Sequence, residues 1–217
     1  MKKKNNTWFK VVIIIIILEL VIGGAIFAYK KLGPTKNADN ISTKDKEVIK
    51  LYEKIAYNDI DTLDVMSPEI MLYYGYKNTD ITESINCDVA NIEDDTTGYS
   101  CDGIVDFVPS NTMEKEIKDI YGSNVIIEKR SFELDPNHYV FYDNITDGYV
   151  LYTKDEQEEA NPVNLNLKAA NKDDDGNIIL TVEVLDGIVG KNLNTYNYTF
   201  EKDGKNYYLV SKEIVTS

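Results

Sequence analysis

The stretch Val163-Asn-Leu-Asn-Leu-Lys-Ala-Ala-Asn-Lys-Asp-Asp-Asp-Gly-Asn-Ile-Ile-Leu-Thr-Val-Glu-Val184 alternates apolar and polar residues on either side of an acidic turn. Val163, Leu165, Leu167 and Ala169 fall on one face and Asn164, Asn166 and Lys168 on the other, a period of two that predicts a half-buried strand. Ile178 to Val184 is its antiparallel partner, and Asp175-Gly176 tolerates the positive φ of a tight hairpin. The pattern recurs nearby. Tyr196, Tyr198 and Phe200 alternate with Thr195, Asn197, Thr199 and Glu201, while Asp147-Gly148 and Asp203-Gly204 punctuate neighbouring strands. One wet face per strand is the habit of an antiparallel sheet.

Upstream the period is helical. Val48, Leu51, Tyr52 and Ile55 form a stripe behind the candidate caps Ser42 and Thr43. Ser67-Pro68 is a cap followed by proline at the first helical position; Ile70, Met71 and Tyr74 face the core until Gly75 weakens the helix. Asn111 and Glu114 resemble a capping box ahead of Met113, Ile117 and Ile120, with Gly122 as the stop. Helices first and strands later predict an α+β domain, with helices packed on one face of a curved antiparallel sheet.

The chain begins differently. Val11 to Ala28 is apolar except for Glu19, between Met1-Lys-Lys-Lys4 and Tyr29-Lys-Lys31. Thirteen of these eighteen residues are Val, Ile, Leu or Phe; their insertion free energy of about 6 kcal/mol outweighs the roughly 3 kcal/mol of one central acid. As a helix the run reaches about 27 Å, enough to cross the hydrocarbon layer. A cleaved signal peptide is the competing reading, but its apolar region is normally shorter and Ile26-Phe-Ala28 is a poor cleavage site. The expected organisation is a cytoplasmic tail at 1–10, a transmembrane helix at 11–29, a linker at 30–42 and an extracellular domain at 43–217. Lysines nearly balance across the span, so orientation rests on the export-like start and on the two cysteines. Within the span, Glu19 and the pair Gly24 and Ala28 are candidates for contact with a partner helix.

Residues 37–217 hold 16 Lys plus Arg against 36 Asp plus Glu. Such a surface does not replace phosphate counterions, so nucleic acid is excluded as a partner. Lysine outnumbers arginine twenty-two to one, beside much Asn, Ile and Tyr, the bias of an AT-rich genome.

Chemistry-bearing motifs are sparse. Cys87 and Cys101 enclose a turn-like acidic segment and are expected to form a disulfide, with separate thiols or a metal pair as alternatives; the zinc alternative lacks further ligands. His138 is the sole histidine and follows Asp135-Pro-Asn137, a turn, without a recognisable nucleophile. Asn171, Asp173 and Asp175 match oxygen-ligand positions of a calcium loop, with Gly176 sixth, yet Val182 stands where the bidentate Glu belongs. A hairpin turn is the preferred reading there. Acidic runs at Glu93-Asp-Asp95 and Asp155-Glu-Gln-Glu-Glu159 read as solvated loops. Around Tyr139 to Tyr152, apolar residues on both faces predict a strand buried on both sides, with an aromatic ligand groove as the alternative. No cofactor motif is present.

The helix end Ile120-Tyr-Gly-Ser-Asn-Val125 and the close Tyr196-Asn-Tyr-Thr-Phe-Glu-Lys-Asp-Gly-Lys-Asn-Tyr-Tyr-Leu-Val-Ser-Lys-Glu-Ile214 resemble uncharacterised single-pass membrane-anchored surface proteins of AT-rich Gram-positive-type bacteria. A helix-wrapped curved sheet also resembles the cystatin or NTF2-like architecture. These resemblances imply fold and location and carry no activity. The functional expectation is a membrane-anchored, non-enzymatic extracellular module that binds a protein, peptide or glycan. An envelope hydrolase using a carboxylate pair and an accessory subunit of a membrane complex are the alternatives.

Overall fold

The computed structural model describes residues 39–57, 62–87, 98–154, 156 and 162–216. The apolar segment with Glu19, Gly24 and Ala28, the Glu93 to Asp95 run and most of the Asp155 to Glu159 run lie outside them. Among the described residues no helix is long and apolar enough to cross a membrane.

The described residues form eleven strands and three helices within one compact unit, Ala38–Ser217. The first sheet has the order β1-β8-β9-β10-β11: Asp39–Ile41, Val163–Lys172, Ile178–Asp186, Asn192–Asp203 and Asn206–Ile214. The second follows β2-β4-β7-β6-β5: Glu83–Asn86, Ile104–Pro109, Gly148–Lys154, His138–Asp143 and Phe132–Asp135, with β3, Tyr99–Ser100, also on β7. Every pairing is antiparallel.

This corrects the expectation of helices laid on one curved sheet. Strand dominates over helix, there are two sheets, and four strands precede the last helix. β4 was hidden because its partners β2 and β7 are distant in sequence, so no hairpin turn advertises it. β1 falls inside the stretch expected to be linker and pairs with the end of β8, Asp39 opposite Lys172.

The helices are α1 (Lys46–Glu53), α2 (Pro68–Asn78) and α3 (Ser110–Tyr121). Asp45, not Ser42 or Thr43, caps α1 by accepting the Glu47 N–H at 2.8 Å. Ser67 caps α2 as expected, but the helix continues through Gly75 to Asn78. Pro109 occupies the N-cap of α3 without a side-chain bond, so no capping box forms; Asn111 is already inside the helix. Met113, Ile117 and Ile120 are the expected buried stripe, and Gly122, at φ 92°, ends the helix.

One continuous core joins these helices to the inner faces of both sheets. α3 touches β11 of the first sheet and β4 and β7 of the second, while α2 packs on β5 and α1 on β9. Tyr196, Tyr198, Phe200, Leu180, Val182 and Val184 point inward. In β8 the alternation breaks: a bulge between Leu167 and Ala169 makes Ala170, not Ala169, the buried residue. The second sheet is apolar on both faces. Val140, Tyr142, Tyr149 and Leu151 join the main core, whereas Tyr139, Phe141, Val150 and Tyr152 form a second cluster with Tyr99, Cys101 and Phe107.

Candidate interaction surface

The turn from β9 to β10, Gly187-Ile-Val-Gly-Lys191, is held by polar chemistry alone. Asp186 Oδ1 accepts the N–H groups of Ile188 at 2.8 Å and Val189 at 2.9 Å, bonds that depress the Asp186 carboxyl below the usual range. The Gly190 N–H returns to the Asp186 carbonyl at 2.8 Å with Gly190 at φ 68°. Gly187 lies so close to Pro162 that a Cβ would meet its carbonyl oxygen at 2.5 Å. Folding of this turn therefore uses Asp186 and the glycines, and makes no use of the Ile188 and Val189 side chains, which are 75% and 72% exposed.

Further apolar groups gather at the same end of the first sheet. Leu193, exposed, is the extra residue of a bulge between Asn192 and Asn194. The exposed pair Ile214 and Val215 lies beside it, fixed by the Val215 N–H on the Thr195 carbonyl at 2.8 Å. Five exposed apolar side chains at one end of a sheet, on a backbone fixed by hydrogen bonds, fit a contact surface better than a core. The chain joins the sheet at the other end, where Asp39 pairs with Lys172; the intervening length of β8 is about 30 Å.

Cys87 and Cys101 are disulfide-bonded, Cα atoms 5.9 Å apart, at the margin of the second cluster. Asp173 closes the β8–β9 hairpin: its Oδ1 accepts the N–H groups of Asp175 and Asn177, both at 2.9 Å, and its Oδ2 accepts the Asn177 side chain at 3.1 Å. Asn177 Oδ1 in turn accepts the Lys202 N–H, at 3.0 Å. Asn171 lies in β8 between Asn40 and Ile179. Among the described residues no group of three or more His, Cys, Asp or Glu is arranged to hold a metal.

His138 Nδ1 meets the Asp135 carboxylate at 2.8 Å. The nearest arrangement to a nucleophile is elsewhere: Lys129 Nζ donates to the buried Ser110 hydroxyl at 2.9 Å and to Asp147 Oδ1 at 2.8 Å, with Glu114 at 3.5 Å. The Asp147 bond raises the Lys129 pKa, so the amine stays protonated and is no base for the serine. The same bond, with those of Tyr142 and Ser110, holds Asp147 down at about 2. At Asp119, burial acts upward, but the hydrogen bond and charge of Lys54 outweigh it. At Glu183 the Lys168 bond leads a downward shift. A glycosidase acid needs the reverse displacement.

The Ile188-Val189 surface was missed by sequence reading, which singled out no feature between Val184 and Thr195. The available signal was a β-branched apolar pair between Gly187 and Gly190, where polar residues normally sit. Compared with protein families, curated proteins and solved structures, the chain matches none.

Proposed function

We propose that this chain is a single-pass membrane-anchored module that holds its folded domain outside the cell and docks a protein or peptide partner at the far end of the first sheet. The apolar cluster of Ile188, Val189, Leu193, Ile214 and Val215 carries the reading. Its position supports display: chain arriving from the anchor joins the sheet at Asp39, and the cluster stands at the opposite end. The Cys87–Cys101 bridge suits an oxidising exterior. Aliphatic groups without an aromatic platform favour protein over glycan. The net negative charge of the domain favours a neutral or basic partner over a second copy. A carboxylate-pair hydrolase has less support, because Asp147 and Asp119 are held ionised by lysines.

Photocrosslinking in living cells tests this. A photoreactive residue at Val189 or Leu193 should give one discrete adduct, and the same residue at Thr199 should give none. Adducts that are absent, or identical from all three positions, would overturn the proposal.

A further inference from the structure

The opposite end of the first sheet carries different chemistry. A cavity of about 90 Å³ lies between α1, the last turn of α3 and the β10–β11 hairpin; Glu47, Lys50, Lys54, Asp119, Lys205 and Asn206 line it. Lys54 is only 9% exposed, and its ammonium donates to the Asp119 carbonyl and to Asp119 Oδ2, both at 2.7 Å. An ammonium has three protons, so one N–H remains to spend. Asp119 is engaged by Lys54. The exposed amines of Lys50 and Lys205 make no ion pair within 4.0 Å among the described residues, in contrast to Lys115, Lys118, Lys129 and Lys168, which each reach an acid. In so acidic a domain, three lysines against the two carboxylates of Glu47 and Asp119, one of them already held by Lys54, give this hollow a net positive lining.

From this geometry we infer that the cleft binds a phosphate group. A phosphate monoester carries about 1.5 to 2 negative charges and three acceptor oxygens, which the ammonium groups of Lys50 and Lys205 and the one remaining N–H of Lys54 can meet, outweighing the single further carboxylate of Glu47. The hollow has room for roughly a few water molecules, hence for one tetrahedral oxyanion but not for a nucleoside or a sugar ring. The phosphate is either free or part of a lipid headgroup. The second source alone rests on the anchored reading: the β10–β11 hairpin lies at the end of the sheet where β1 begins, since Phe200 pairs with Ile178, Ile178 with Lys172 and Lys172 with Asp39.

The test is amine acylation of the full chain in uncharged detergent, read lysine by lysine by mass spectrometry. At constant ionic strength, inorganic phosphate should protect Lys50 and Lys205 saturably and severalfold, leaving Lys172 and Lys191 unchanged. The exposed double variant Lys50→Ala/Lys205→Ala should lose calorimetric phosphate binding while keeping the parental unfolding midpoint. In phosphatidylcholine nanodiscs, protection that appears only when phosphatidate is included assigns the lipid source. Protection by inorganic phosphate without any effect of phosphatidate assigns the free ion and leaves the anchored reading to be judged by topology. Lysines unprotected in both arms, or a double variant that binds phosphate as before, would overturn the inference.

Discussion

Gly75 lies in mid-helix, where glycine lowers helix propensity, yet α2 runs through it. The reason is across the interface: a Cβ at Gly75 would stand 2.4 Å from Ile117 Cγ1, inside the fully buried stripe of α3. Overpacking of this kind costs about 1–3 kcal/mol, and the propensity gain returns about 1. Gly75→Ala should therefore lower the urea midpoint of unfolding; an unchanged or higher midpoint would mean that the helices simply move apart. Asp147 is the other telling residue. It sits at φ 52°, a conformation Asn tolerates, and its carboxylate accepts Lys129 and Tyr142. Its folded pKa of about 2 lies below the usual carboxyl value of about 4, so its contribution to stability is present above pH 4 and is lost as pH falls toward 2. Asp147→Asn should flatten the fall in melting temperature across that window while retaining the turn. A parallel fall in variant and parent would remove Asp147 from the account.

At the scale of elements, the hairpins were legible because their signals are local. Asp173 to Asn177 between β8 and β9 combines a period of two with turn residues, and Ser67-Pro68 combines a cap with a permitted proline. Register was less legible. The bulges after Leu167 in β8 and between Asn192 and Asn194 in β10 follow from packing and partner strands, not from any motif in the strand itself. The capping box at Asn111 failed because the helix already begins at Ser110 with Pro109 as its N-cap, which leaves Glu114 to Lys118 and Lys129. The disulfide belongs to this scale too. It closes a loop of 15 residues, counted from a separation of 14, and should stabilise by about 3 kcal/mol through the unfolded chain. Cys87→Ser/Cys101→Ser should show that loss in denaturant unfolding, while reductant leaves the variant unaffected. Equal stability of parent and variant would deny the bridge any part in holding the second cluster.

For the molecule as a whole, two sheets were hard to foresee because β2 pairs with β4 and β4 with β7 across long intervening stretches of sequence, and the first strand is only three residues long. The candidate surface was hidden differently: nothing in a single turn says that Ile188, Val189, Leu193, Ile214 and Val215 fall at one sheet end until the register is known. Replacing Ile188 and Val189 by Asp should change stability by less than about 0.5 kcal/mol, since both side chains stand in water. A cooperative loss of fold in that variant, seen as a lowered melting temperature, would turn the surface into part of the core. Display of this surface to a partner requires the domain to be outside the cell, and protease added to intact wall-free cells tests that most directly. With a tag at the C-terminus, the account predicts that the tag and domain are removed while a cytoplasmic marker stays whole. A tag left intact while a known surface protein is cut would contradict it.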